Sequence, residues 1–301
     1  MADEILARIE QRLAALEAQT QAILTSVTET RGLVGPWAVT LADGKLLVHT
    51  LHRNLMIVDS TDLIITPQLV VYRQWEPELT RLFYNSFRRD TVFVDIGANI
   101  GYFTLLAGSR IHAGGAGRVI AIEPNPECFA LIERNLVINW SMCPIALHKV
   151  AVGAEAGEVW LASPADRAAN AHLSYDEAET GERKFRVPIQ PLDALVPEGL
   201  AVDILKVDVE GHELSVFKGA RRTLAQSPNI RVIMEWSQEQ MREAGVSPQA
   251  MQEELRSHGL VARKLPASES LNDLTAENAP VIAFEDLSQL AYDNLLLTRG
   301  V

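Results

Sequence analysis

Two short segments of this 301-residue chain carry residue types at spacings that suit chemistry. The first is Val94-Asp95-Ile96-Gly97-Ala98-Asn99-Ile100-Gly101. The apolar run TVFVDIG leads into it and the helical pattern ANIGYFTLLAGSR follows, so the glycines fall on a strand-to-helix turn. Glycine there permits a tight bend and close approach of backbone to a ligand. The spacing is G-x-x-x-G rather than the G-x-G-x-x-G of a dinucleotide site, and Asp95 stands at the carboxyl end of the strand. A carboxylate at that point opposes a diphosphate. It suits a cationic ligand with an ammonium group and a sulfonium, which favours S-adenosylmethionine over NAD. Glu123 ends the next strand, RVIAIEP, where an acid accepts hydrogen bonds from ribose hydroxyls, and Pro124 then redirects the chain. Taken singly, Asp95 reads equally as a helix cap and Glu123 as a solvated acid. Strand, turn, acid and proline in this order favour the nucleoside reading.

The second segment is Lys206-Val207-Asp208-Val209-Glu210-Gly211-His212-Glu213. It closes the apolar run DILKVDVE, and ligands of open α/β sheets bind beyond such strand ends. Alternation sets Asp208 and Glu210 on one side if the strand runs through both. Two carboxylates flanking a crevice perturb each other's ionisation, as acid–base pairs do. Asp208, Glu210 and His212 are therefore the candidate catalytic residues, and the sequence leaves open which is the base. Asp208 also reads as a helix cap or as a partner for an amine, and Glu213 as a first-turn helix-dipole partner. Glu235, ending NIRVIMEWS, either pairs with Lys206 or meets an acceptor. Oxygen ligands of this kind suit Mg²⁺ or Mn²⁺. Their spacing matches no metal motif, so no metal ligand is assigned and the use of a divalent metal stays open.

These residues need rigid elements behind them. From residue 91 onward strands and helices alternate: TVFVDIG, RVIAIEP, ALHKVAVG, DILKVDVE and NIRVIMEWS are strands, with helices such as NPECFALIERNLVIN, HELSVFKGARRTLAQ and SPQAMQEELRSHG between. EVWLA and KFRVPIQ are two more strands, separated by a polar stretch over 163–182. A stretch that long is a candidate acceptor loop, through Asn170, His172 and Tyr175. LVARKLP and NLLLTRG follow one another at the end, which predicts an antiparallel hairpin at one edge. The expected fold is thus a mostly parallel, doubly wound, Rossmann-like α/β sheet over residues 91–301.

Residues 36–90 read as a β-rich extension and a lead-in helix. WAVTLADGKLLVHT is a hairpin about Asp43-Gly44, LMIVDS and DLIITPQLVVY follow as further strands, and WEPELTRLFYNSF is helical. Trp75, Glu76 and Glu78 lie where they could close over a ligand. Residues 1–35 form an N-terminal helix, stopped at Gly32 and Gly35-Pro36. Its Leu6, Ile9, Leu13, Leu16, Thr20, Ile23 and Val27 repeat in steps of three and four, so residues 3–31 are a candidate coiled coil joining copies of the chain. Packing on its own domain is the alternative.

A formal net charge of −12 disfavours nucleic acid as a partner, and Arg88-Arg89 and Arg221-Arg222 read as solvated surface. No apolar run reaches the ~18 residues of a membrane span. No signal-peptide pattern opens the chain, and Cys128 and Cys143 form no metal or redox spacing. A reducing, cytoplasmic setting is the resulting expectation.

The stretches WEPELTRLF, FVDIGANIGYFTLLAG, VIAIEPNPECFALIERNL, PLDAL, ILKVDVEGHELSVFKGA and IRVIMEW, spanning about residues 72–240, resemble the FkbM family of methyltransferases. The pairing of DIGANIGYFT with KVDVEGHE is the specific part. The N-terminal helix lies outside the family pattern, and Ala169-Asn170-Ala171-His172-Leu173-Ser174 departs from an Asn-Gly-Gly-like turn common in it. The resemblance implies a Rossmann-like methyltransferase fold. It also implies S-adenosylmethionine-dependent O-methyl transfer to a hydroxyl of a sugar, glycan or natural product. By the same resemblance Asp95, Gly97, Asn99, Gly101, Tyr102 and Phe103 line the methionine and ribose part and Glu123 holds the ribose; Ala98, Pro124 and Asp208 are the further cofactor-binding candidates. Two other functions compete: a non-catalytic nucleoside-binding protein assembled through its N-terminal helix, and an NAD-dependent oxidoreductase.

Overall fold

A computed structural model of the chain describes residues 12, 17, 19–20, 37–111, 115–140, 142–163, 172–174, 183–265 and 279–299. The chain divides into two compact units, Met1–Trp37 and Ala38–Val301. In the first, Arg12, Glu17, Gln19 and Thr20 are helical and exposed. Thr20 apart, the heptad positions of the expected coiled coil lie outside the described residues.

The second unit opens with an antiparallel sheet of β1 (Ala38–Thr40), β2 (Lys45–His49) and β3 (Leu55–Asp59). Asp43 and Gly44 turn the first hairpin with φ of 58° and 66°, the left-handed pair that such a turn demands. The next segment departs from expectation. DLIITPQLVVY reads as a strand from its β-branched residues, but Ile65–Tyr72 is a helix, α1. The reason is local: Asp62 Oδ2 accepts the backbone N–H groups of Ile65 (2.9 Å) and Thr66 (2.6 Å), capping the first turn. β-branching disfavours a helix by only a few tenths of a kcal/mol per residue, and a cap outweighs it. Asp62→Ala should therefore destabilise the protein by about 1 kcal/mol. A lowered urea midpoint is the expected readout; an unmoved midpoint would mean that packing alone holds α1. Helix α2 (Pro77–Ser86) follows and buries Leu79, Leu82 and Phe83.

The main sheet begins with β4 (Val92–Ile96), buried at all five positions. Then come α3 (Tyr102–Ile111), β5 (Arg118–Ile122), α4 (Pro126–Ile138) and β6 (Ile145–His148). The expected single strand ALHKVAVG is split, because β7 (Ala151–Val152) leaves for a second sheet with β8 (Gly157–Ser163), β9 (His172–Ser174) and β10 (Arg183–Gln190), ordered β7-β10-β8-β9. After α5 (Leu192–Leu195) the main sheet resumes with β11 (Ile204–Val207), α6 (Glu213–Lys218), α7 (Arg221–Ala225) and β12 (Arg231–Ser237). Helices α8 (Gln238–Glu243) and α9 (Pro248–Ser257) lead to β13 (Leu260–Lys264), and α10 (Phe284–Leu287) leads to β14 (Tyr292–Arg299).

The strand order is β13-β14-β12-β11-β4-β5-β6, and β14 alone runs antiparallel to its neighbours. The edge hairpin is present, with its last strand inserted between β12 and β13 rather than outermost. Side chains alternate between two cores. Phe93, Ile204, Ile233 and Leu296 join the one that also holds residues of β3, α2 and α3. Val94, Ile96, Leu205, Val207 and Met234 join the other. This is the expected Rossmann-like, mostly parallel α/β architecture. Strand β4 has β5 on one side and β11 on the other, so the chain reverses its direction of travel across the sheet there, which opens a crevice at the carboxyl ends.

Candidate functional site

The turn after β4 is the floor of that crevice. Gly97 has φ of 76°, and a Cβ built on it would stand 1.8 Å from the carbonyl oxygen of Asp208. Only glycine lets the turn and the end of β11 lie this close. Gly97 and Ala98 donate their N–H groups to the Ile122 carbonyl at 3.0 and 3.1 Å, locking the turn onto β5. Asn99 follows with φ of 53°. Gly101 faces away from the crevice towards Ile132 of α4, so it serves helix packing.

Two hollows meet over this floor. One is lined by Gly97, Asn99, Glu123 and Pro124 with the apolar Ile122, Val150, Val152, Leu161 and Leu173. The second sheet supplies much of its apolar wall. At its head, Glu123 is buried and accepts the N–H groups of Asn99 (2.7 Å, to Oε2) and Asn125 (2.8 Å, to Oε1). Each carboxylate oxygen keeps a lone pair for a ribose hydroxyl. Burial pushes Glu123 up to about 7, against the backbone hydrogen bonds from Asn125 and Asn99, which pull it down.

The other hollow is a polar trough. Gly97, Asn99, Asp208 and Glu210 line both, so the two are continuous. Trp75, Glu76, Ala98, Tyr102, Phe103, Lys206, Glu235, Gln240 and Tyr292 also line the trough. Lys206 is almost wholly buried; it donates to Asp208 Oδ2 at 2.8 Å and lies 5.6 Å from the centroid of the Phe103 ring. Burial alone would lower its pKa, but Asp208 and Asp95 reverse that and hold it charged. Gln240 donates to Glu210 Oε2. Burial first, then the charges of Asp208 and Glu235, push Glu210 up to about 9. Burial and the same two acids push Glu76 up to about 7, with Lys206 opposing. Glu235 is also raised, chiefly by burial and Asp208, while hydrogen bonds with Tyr292 and Gln240 oppose the shift.

Backbone strain marks the same place. Among the described residues, six non-glycine residues have positive φ: Asp43, Arg53, Arg73, Glu76, Asn99 and Glu210. The last three all line the trough. Such conformations persist only where the surroundings impose them, and they gather at functional sites.

The sequence-derived candidates thus separate. Gly97, Ala98, Asn99, Tyr102, Phe103, Glu123, Pro124, Asp208 and Glu210 line the two hollows. Asp95 does not. It lies fully buried on the α3 side of β4, where its Oδ2 accepts from Thr104 Oγ1 at 2.6 Å. The carboxylate at the crevice is Asp208 instead. Asp95 Oδ1 has no hydrogen-bond partner among the described residues, and Asp95 pairs in register with Lys206. His212 is buried at the head of α6 and lines neither hollow. Glu213 staples the turn before it, accepting the N–H groups of Val209 (3.1 Å) and Gly211 (3.3 Å). Glu76, Glu235, Gln240 and Tyr292 were not among the assigned site residues. Only the position of Glu76 ahead of α2 and of Glu235 at a strand end hinted at them. Among the described residues, no group of three or more His, Cys, Asp and Glu side chains converges as a metal site. Cys128 and Cys143 are buried and form no disulfide among the described residues. No described helix is long and apolar enough to cross a membrane.

Comparison with known proteins places this geometry. Residues 95–261 match the family described as the methyltransferase FkbM domain. Methyltransferase sdnD of Sordaria araneosa is 30% identical over 155 residues, covering 42% of this chain and 59% of that protein. Hexuronic acid methyltransferase AglP of Haloferax volcanii is 30% identical over 161 residues, covering 52% of this chain and 61% of that protein. The matches therefore span about three-fifths of these relatives' length. Among solved structures, P. horikoshii TYW2 in complex with MeSAdo aligns over 87% of this chain and 74% of that one, with 13% identity and a TM-score of 0.44.

Proposed function

The chain belongs to the FkbM methyltransferase domain family, and from that membership we propose that it transfers a methyl group from S-adenosylmethionine to a hydroxyl oxygen of a sugar, glycan or natural product. The observation that carries the cofactor assignment is Glu123. Its carboxylate is fixed by two backbone N–H groups at the end of β5, beside the Gly97 turn and at the point where strand order reverses. A ribose diol placed there finds an acceptor for both hydroxyls, and the apolar wall of Val150, Val152 and Leu161 suits a purine. The donor's charged end then faces Asp208.

When bound, S-adenosylmethionine supplies a methyl group on a good leaving group. The protein must align an oxygen behind it and take up the proton. Lys206 holds the Asp208 carboxylate in place, and Gln240 holds that of Glu210. With a pKa near 9, Glu210 keeps its proton at neutral pH and acts as a hydrogen-bond donor. Glu76, near 7, is the group poised to accept the hydroxyl proton, because a base works best when its pKa lies near the working pH. The name of the Haloferax relative supports a sugar acceptor, and the chain's net charge of −12 supports an acceptor other than nucleic acid.

Calorimetric titration with S-adenosylhomocysteine tests the donor site. Micromolar binding, about −8 kcal/mol, is expected, weakened at least ~10-fold by Glu123→Ala. Absence of binding to folded protein would remove the cofactor assignment, and nicotinamide cofactors would be tried next.

A further inference from the structure

Next to the trough lies a cleft of about 630 Å³ between the start of α2, the end of β13 and the start of β14. Glu76 and Tyr292 line both spaces, so the cleft and the trough share a rim. Resting on the reading of the trough as the transfer site, we infer that this cleft is the acceptor subsite and takes an uncharged pyranose sugar packed on Tyr292.

Tyr292 is the first residue of β14 and is 56% exposed. Its hydroxyl is nonetheless held by a hydrogen bond to the Glu235 carboxylate. The ring is therefore fixed at its polar end, with much of its surface open at the rim. An aromatic side chain so anchored has little rotamer freedom left to lose on binding. Its face suits a surface that is apolar on one side and polar at its edges. A pyranose ring is such a surface: C–H groups on its face, hydroxyls around its rim. Asn294 and Glu78 line the cleft within the same space and supply hydrogen-bonding groups for those hydroxyls.

Charge decides the class of sugar. The cleft is lined by the acids Glu76, Glu78 and Asp293, and Glu235 lines the adjoining trough. The cations there are already engaged in part: Lys206 with Asp208 at 2.8 Å and Lys264 with Asp293 at 3.4 Å. Arg81 also lines the cleft. A uronate or a phosphorylated sugar would bring a further negative charge into a partly desolvated set of acids. Like charges in such surroundings repel strongly, whereas neutral hydroxyls meet no such cost. The site thus selects by repulsion as much as by attraction.

The test is saturation-transfer NMR on the full chain loaded with S-adenosylhomocysteine, against methyl hexopyranosides and the matching methyl hexuronosides. At least one hexopyranoside is expected to show ring-proton saturation, with its hexuronoside weaker by ~10-fold or more. Tyr292→Ala should abolish that signal and Tyr292→Phe should keep it. Hexuronosides binding as well as hexosides, no hexoside signal at all, or an undiminished signal in Tyr292→Ala would each overturn the inference. Calorimetry on the same samples reports the binding of S-adenosylhomocysteine. Its loss in the unaltered protein would bring down the transfer reading itself. Its presence beside any of the adverse NMR results would remove only the acceptor assignment.

Discussion

Glu76→Gln should lower kcat for methyl transfer by ~100- to 10,000-fold, the range lost when a positioned general base is removed. The substitution keeps the side chain's size and removes only its ability to take a proton. Glu76 touches the acceptor side of the trough and not the nucleoside hollow, so affinity for S-adenosylhomocysteine should change by less than ~3-fold, about 0.6 kcal/mol. The pH profile separates a base from a merely structural residue. Burial and the neighbouring acids Asp208 and Glu235 set Glu76 near 7. The ionised form is the active one. The rate should therefore climb as pH rises through about 7 and level off above it, and be lost as pH falls through that value. In Glu76→Gln this step should vanish. A variant that keeps its rate and its acid limb would place the base elsewhere in the trough, with Glu235 the next to test. The backbone favours the role: Glu76 sits at the N-cap of α2 with φ of 41° and makes no side-chain cap bond. Its carboxylate is thus released from the usual task of an acid at a helix start.

Gly97→Ala should reduce affinity for S-adenosylhomocysteine by ~100-fold or more, about 2.7 kcal/mol. The Cβ would meet the Asp208 carbonyl oxygen at 1.8 Å, and backbone cannot move aside as a flexible side chain can. The end of β11 would have to part from the turn, straining the Asp208 N–H to Ile96 carbonyl bond (3.3 Å) and displacing the Asp208 carboxylate. The positive φ adds a backbone penalty of ~1 kcal/mol or more. Gly101→Ala is the control. It suffers a similar backbone penalty, but its Cβ would meet the Ile132 side chain at 3.2 Å, away from both hollows. It should lower the urea midpoint and leave the affinity of the folded fraction within ~3-fold. Equal binding by Gly97→Ala and the unaltered protein would show that close approach of β4 and β11 is not needed for the ligand.

How much of this was legible in the chain depends on how local each feature is. The Asp43-Gly44 turn and the Ser247-Pro248 helix start are set by neighbours in sequence. Ser247 Oγ accepts the Ala250 N–H at 3.1 Å, as its residue type predicts. The Gly97 turn and Glu123 were readable for the same reason. Helix α1 was misread because its β-branched residues speak for a strand, while one capping carboxylate, Asp62, speaks for a helix. Asp95 was placed in the ligand site because alternation along β4 tells which residues share a face, but not which face opens to the crevice. In a sheet covered on both sides the two faces carry equally apolar residues, so the pattern is symmetric.

By itself, then, the sequence determined the alternation of strands and helices around β4, β5, β11 and β12, the glycine turn and the acid that ends β5. Each depends on backbone preference or on residues a few positions apart. Tertiary structure alone decided which carboxylates share the trough. Glu76 comes from the start of α2, Asp208 and Glu210 from beyond β11, and Glu235 from β12, with Tyr292 from β14 beside them. Their pKa values arise from burial and from one another's charge, and both exist only once the strands and helices have packed.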